Sequence, residues 1–210
     1  MNKPKPTKHS NVVFNQLCKL IPVGMVRNLA SEYGVDKKCR TFSAWSHVVS
    51  LLYAQLTQSI GLNDVCDALR HHSAKLFAIR GATPPSRNGL SNANKTRDAD
   101  MIEALFWKML DHLQNQFPSF GPSGRYKGLP RRFKKTVYSI DSSTITLVAN
   151  CMDWAKHRRR KAAAKLHLCL NLQTFLPSFA VIEEGSHHDS SRMIALCARL
   201  AAGEIAVFDK

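Results

Sequence analysis

No stretch of this chain reaches the roughly 18 uncharged apolar residues that a bilayer crossing requires, which excludes a membrane-spanning helix. Cysteine is scattered as Cys18, Cys39, Cys66, Cys151, Cys169 and Cys197, with no Cys-x-x-Cys pair and no zinc-finger spacing. That spacing excludes a structural zinc module and suits buried thiols in a reducing cytoplasm. A glycine-rich phosphate loop, a nucleophile elbow and a closely spaced Cys/His pair are all missing, so nucleotide cradling and acyl-transfer chemistry have no sequence support. Internal repeats and coiled-coil heptads are missing too. Acid is in short supply: 15 Asp and Glu stand against 30 Lys and Arg, a formal charge of +15. Such an imbalance draws in polyanions, because the summed field attracts them and phosphate contacts release counterions. Charge alone does not separate DNA from RNA.

What is present divides into two patterns. With 210 residues, 44% of them hydrophobic, the chain can bury a core in one large or two small domains. The first 120 residues carry helical spacing: Phe14, Leu17, Cys18 and Ile21; then Val26, Leu29, Ala30 and Tyr33; then Trp45, Val48, Val49, Leu52 and Leu56 behind the capping candidates Thr41 and Ser43. Leu62, Val65, Cys66 and Leu69 predict a short helix, and Ile102, Leu105, Phe106, Met109 and Leu113 a longer one. Between them, residues 81–94 are rich in Gly, Pro, Ser and Asn and predict a loop, broken at most by a turn of helix. Residues 121–135 serve as a basic linker. Beyond it the period changes to two. Val137 to Asp141 predicts a short strand, Leu166, Leu168, Leu170 and Leu172 one face of a second, and Phe179 to Ile182 a third. A helix from Asp189 or Ser190 to Leu200 and a strand from Ile205 to Phe208 complete an α+β chain: an all-helical domain (1–120), the linker, and an α/β core (136–210).

Asp141 closes one strand and Asp209 follows another. If the last strand returns beside the first through a right-handed crossover, the two carboxylates lie close together, suited to holding hard divalent ions. A strand-end Asp also serves as a turn or cap residue. Twelve basic residues lie between Arg125 and Lys165, among them Arg131, Arg132, Lys134, Lys135, Lys156, Arg158, Arg159, Arg160, Lys161 and Lys165, offset only by Asp141 and Asp153. That density favours phosphate contact that positions a nucleic acid more than it reads one. Trp154 suits base stacking or a core equally. In the helical half, Gly61 to Arg70 with Arg80 and Arg87 outlines a small DNA reader whose connecting loop is long for a helix-turn-helix. Arg87, Ser91, Asn92, Asn94, Lys95 and Arg97 are apt phosphate and base-edge donors. His187-His188-Asp189 fits a loop and helix cap better than a metal site.

The ordered series Val137-Tyr138-Ser139-Ile140-Asp141-Ser142-Ser143-Thr144-Ile145, Asp153-Trp154-Ala155-Lys156, Lys165-Leu166-His167, Phe175-Leu176-Pro177-Ser178-Phe179, Gly185-Ser186-His187-His188-Asp189 and Gly203 to Lys210 closely resembles the DDE transposases of bacterial insertion sequences, in the large family founded by insertion sequence four. Ser91-Asn92-Ala93-Asn94-Lys95-Thr96-Arg97 resembles part of that family's N-terminal domain. The resemblance implies a ribonuclease-H-like core with Asp141 and Asp209 as the first two catalytic and metal-binding acids. It also implies magnesium, with manganese as a substitute, and cleavage and strand transfer at terminal inverted repeats of duplex DNA. His167 joins the DNA-contact residues on the same basis. The family's third acid is a glutamate on a helix after a long insertion, and no part of these 210 residues corresponds to it. Glu183, Glu184 and Glu204 precede the second acid and do not take its place. Asn171 stands where the family commonly has Asp. The resemblance therefore implies an incomplete core, an inactive or partial enzyme, or a DNA-binding regulator. Such a chain would be nucleoid-associated in a bacterial cytoplasm and would associate with itself or with intact transposase.

Overall fold

The computed structural model describes residues 10–37, 39, 41–59, 61–117, 120, 135–147, 156–157, 161–184 and 197–208. The chain divides into two compact units, Met1–His112 and Leu113–Lys210. Among the described residues seven helices precede five strands: α1 Ser10–Leu20, α2 Met25–Glu32, α3 Ala44–Thr57, α4 Leu62–His71, α5 Ser73–Phe77, α6 Arg87–Thr96, α7 Asp100–Gln116, β1 Val137–Leu147, β2 Lys156–His157, β3 Lys161–Asn171, β4 Leu176–Glu184 and β5 Ile205–Phe208. A mixed α+β architecture, helical first and then a small open sheet, follows from this order.

In the helical unit α3 is the centre. Ser43, one of the two capping candidates, accepts the backbone N–H of Ser46, and the next turns are buried all round from Ala44 to Ser50, Trp45 being half-buried. Val49 packs into a cluster with Cys18, Val65, Cys66, Leu69, Leu76 and Leu90. Val48 and Ala44 pack into a second cluster with Ile21, Val26, Leu29, Met101 and Leu105. The buried hydroxyls on α3 are satisfied: Ser50 donates to the carbonyl of Ser46, and Ser46 Oγ accepts the N–H of Thr83. Arg80, in a left-handed conformation (φ 51°), donates through Nη2 to the carbonyls of Cys18, Lys19 and Ile21, so its charge sits on the negative end of α1.

Two helical expectations need correction. Residues 81–94 are not mainly loop, since α6 begins at Arg87. Ser86 caps it by accepting the N–H of Gly89, and Leu90 and Ala93 are buried one turn apart. Tertiary burial of those two residues outweighs a composition that favours turns. On α7 the buried residues are Met101 and Leu105, while Ile102 and Phe106 of the expected stripe are exposed, as are Leu17 of the α1 stripe and Leu56 of the α3 stripe.

In the second unit β1 pairs antiparallel with β3, β3 antiparallel with β4, and β5 parallel with β1, while the short β2 pairs with the start of β3. This is an antiparallel meander with a late strand returning beside the first. The strand expected to close at Asp141 runs on to Leu147, because β3 continues to pair with it as far as Ala162. The face of β3 that is buried is also the other one. His167 and Cys169 are buried while Leu166, Leu168 and Leu170 are half-buried, since Cys169 packs with Ile140 and Phe179, and Leu200 lies against that cluster. Alternation by itself identifies two faces and not which is covered. Asn171 turns the chain from β3 to β4, its Oδ1 accepting the N–H groups of Gln173 and Thr174. Most of the helix expected from Asp189 or Ser190 lies outside the described residues.

Candidate functional site

Strand β1 carries Asp141 in mid-course, opposite Leu168 of β3. The carboxylate is exposed, and Oδ1 accepts the N–H of Ser142 at 2.8 Å. On the other side of β1 the parallel register matches Val137 with Ile205 and Ile140 with Phe208. Asp209 lies outside the described residues, as do Arg131, Arg132, Lys134, Arg158, Arg159 and Arg160. Lys156 and Lys161 are paired in backbone register with Ala162 and His157. Lys165 is half-buried and pairs with Thr144 on one side and Glu183 on the other, and Lys135 is exposed just before β1.

His167 faces away from Asp141. It lies opposite Ser142, one residue along the pleat, so the two side chains occupy opposite faces of the sheet. There it is buried with Nε2 2.9 Å from Glu183 Oε1. Nearby, Tyr138 donates its hydroxyl to Glu204 Oε1, whose other oxygen accepts the N–H of Ala201. Burial, then the hydrogen bond and the charge of Glu204, push the Tyr138 phenol up. Burial chiefly, then Glu204 and Cys197, push the Cys169 thiol up to about 11, so it is a protonated core residue at neutral pH. Glu204 had no role in the sequence reading, although its place beside the Gly203 turn was a cue. Among the described residues, no group of three or more His, Cys, Asp or Glu side chains is arranged to hold a metal ion. The exposed Asp141 carboxylate is a hard oxygen ligand of the kind that magnesium prefers.

The helical candidates separate cleanly. Arg87 and Lys95 are exposed on α6. Arg97, just after it, is not: its side chain is 10% exposed and its guanidinium donates to the carbonyls of Phe42 and Ser43, ion-pairs with Asp36 at 3.6 Å and lies over the Phe42 ring. Asn94 is exposed but engaged, its Oδ1 accepting from Nε2 of the buried His47 at 2.7 Å. Arg97 and Phe42 line a cleft of about 630 Å³ between the 33–42 segment and α6, to which α6 also contributes Asn92 and Thr96.

His47 has its pKa lowered, by burial first and by the charge of Arg97, with the Asn94 hydrogen bond opposing. A histidine depressed in the fold contributes stability in full above its unfolded value near 6.5 and loses it as pH falls through the lower folded value. The urea midpoint of the helical unit is therefore expected to fall on acidification from about pH 7 to 5. His47→Gln, which keeps an N–H for Asn94 without titrating, should flatten that slope; an unchanged slope would assign it to other groups.

Residues 9–79 match the model of a family described as a domain of unknown function, DUF4372. Among the described residues no helix is long and apolar enough to cross a membrane. There is also a partial similarity: over 58 residues the chain is 34% identical to the probable transposase for insertion sequence element IS5377 of Geobacillus stearothermophilus, a match that takes in 28% of this chain and 15% of that protein.

Proposed function

We propose that this chain belongs to a DNA strand-cleavage and transfer machinery of the insertion-sequence transposase kind, with its helical unit binding duplex DNA and its sheet carrying the acids. The observation that carries this reading is the parallel match of Ile140 with Phe208. Asp141 follows the first and Asp209 the second in sequence, as the first two acids of a ribonuclease-H-like core would. The antiparallel meander with a parallel returning strand is the strand order such a core uses, and the partial similarity to a probable transposase points the same way.

In this reading a divalent ion held by the carboxylates of Asp141 and Asp209 would polarise the scissile phosphate and activate water or a 3′ hydroxyl. The chain's own part is positional. Exposure of Asp141 leaves its carboxylate accessible, and the Ser142 N–H fixes one oxygen. Lys135 is exposed at the entry to β1, and the basic residues from Arg125 to Lys165 would hold the sugar-phosphate backbone.

The test uses the full chain with magnesium or manganese and duplexes from the DNA flanking its own coding region, where terminal repeats would lie. Metal-dependent nicking that Asp141→Asn abolishes supports the enzymatic reading. Tight binding with no nicking in either metal supports a DNA-binding regulator that works by joining or competing with an intact transposase. Neither binding nor nicking overturns both.

A further inference from the structure

Helix α6 is fixed on its inner side and unspent on its outer side. Leu90 and Ala93 are buried, Asn94 is held by His47, Ser86 caps the start, and Arg97 anchors the end to the carbonyls of Phe42 and Ser43. Asn88, Ser91, Asn92 and Lys95 lie opposite Leu90 and Ala93 around a 3.6-residue turn, forming one stripe with Asn92 at its edge, on the rim of the cleft that faces the 33–42 segment. Asn88, Asn92 and Lys95 are exposed and Ser91 is half-buried, and among the described residues none of the four side chains makes a hydrogen bond or ion pair. The helix has no acid, and Arg87 and Lys95 place a cation near each end.

We infer that α6 is a base-reading helix that enters the major groove of duplex DNA and selects adenines through Asn88 and Asn92. This rests on the DNA-binding part of the reading above and adds what is read and by which residues. An asparagine amide pairs with the N6 and N7 edge of adenine through a donor and an acceptor together, a match that no other base edge in the groove offers. Residues at i and i+4 stand roughly 6 Å apart, close to two base-pair steps of about 3.4 Å, so the two amides suit adenines separated by one or two base pairs. Lys95 lies a further turn along, where its ammonium meets a phosphate or a guanine edge. Duplex RNA is disfavoured by shape, since its major groove is too deep and narrow to admit a helix. A helix held at both ends and on its inner side loses little freedom on docking, which favours specific readout over loose charge pairing.

Selection from short randomised DNA duplexes with the full chain, followed by anisotropy titrations on the enriched site, tests this. The expected site contains two nearby adenines. Asn88→Ala and Asn92→Ala should each relax adenine preference at one of them by about 5- to 150-fold, with the salt dependence of binding unchanged. Lys95→Ala should lower the salt slope by about one if it meets a phosphate, and leave both adenine preferences intact either way. All three positions are exposed and unpaired among the described residues, so circular dichroism and urea midpoints should match the parent within about 0.5 kcal/mol. DNA binding whose sequence preference survives Asn88→Ala and Asn92→Ala overturns the inference and leaves DNA binding standing. Binding without any base preference does the same, and so does a duplex RNA that competes as well as DNA. Failure to bind any duplex overturns the inference and the DNA reading together.

Discussion

Replacing Arg97 by Met should cost the helical unit about 2–4 kcal/mol. The guanidinium is nine-tenths buried, donates to two backbone carbonyls, ion-pairs with Asp36 and covers the Phe42 ring. Met replaces the volume and none of the donors, so the carbonyls of Phe42 and Ser43 lose a partner in a partly buried place. Asp36 retains the N–H of Ala44 at 2.9 Å and is 39% exposed, which holds the loss below that of a fully buried broken pair. Urea unfolding followed by helical circular dichroism measures it. Lys95→Ala, two residues away and exposed, should change stability by no more than about 0.5 kcal/mol. If Arg97→Met left stability intact and reduced DNA affinity instead, Arg97 would be a contact residue, as its sequence context suggested.

Phe179→Ala should cost the sheet unit about 3–5 kcal/mol. The buried cluster there consists of Ile140, Cys169 and Phe179, with half-buried neighbours Tyr138, Val181, Leu200, Ala206 and Phe208 around it. Phe179 is its largest member and also lies under the Arg199 guanidinium, 5.4 Å from ring centroid to charge. Few side chains are available to collapse into the space left. Faster hydrogen exchange of the β1 and β3 amides is the readout, and unchanged protection there would show that the cluster does not hold the strands together.

Several elements were legible before the fold was known. The Trp45 to Leu56 stripe and the Ser43 cap predicted α3 because a period of 3.6 and a cap hydroxyl are local properties. The parallel return of β5 beside β1 followed from the order of strands and a right-handed crossover, which leave few topologies open. Helix α6 was misread because Asn, Ser and Gly favour turns in isolation, and what overrides them is contact with distant residues, Ser43 and Phe42 through Arg97 and His47 through Asn94. The buried face of β3 was misread for a related reason. Both faces alternate in sequence, and the side covered is set by Ile140 and Phe179 arriving from other strands.

Charge, the period of each segment and the two strand-linked acids are properties of neighbours in the chain, so composition and spacing were enough to establish a basic, helical-then-stranded protein with Asp141 and Asp209 as its candidate acids. Which polar groups are free is a different kind of property. Asn92 and Asn94 are two residues apart with the same chemistry, yet His47 takes one and leaves the other to solvent; Arg97 and Lys95 are both cations, yet one is buried on backbone carbonyls and the other exposed. Those assignments depend on partners roughly 50 residues away. A local pattern carries no record of them, because burial and hydrogen-bond satisfaction are settled only when the long-range contacts form.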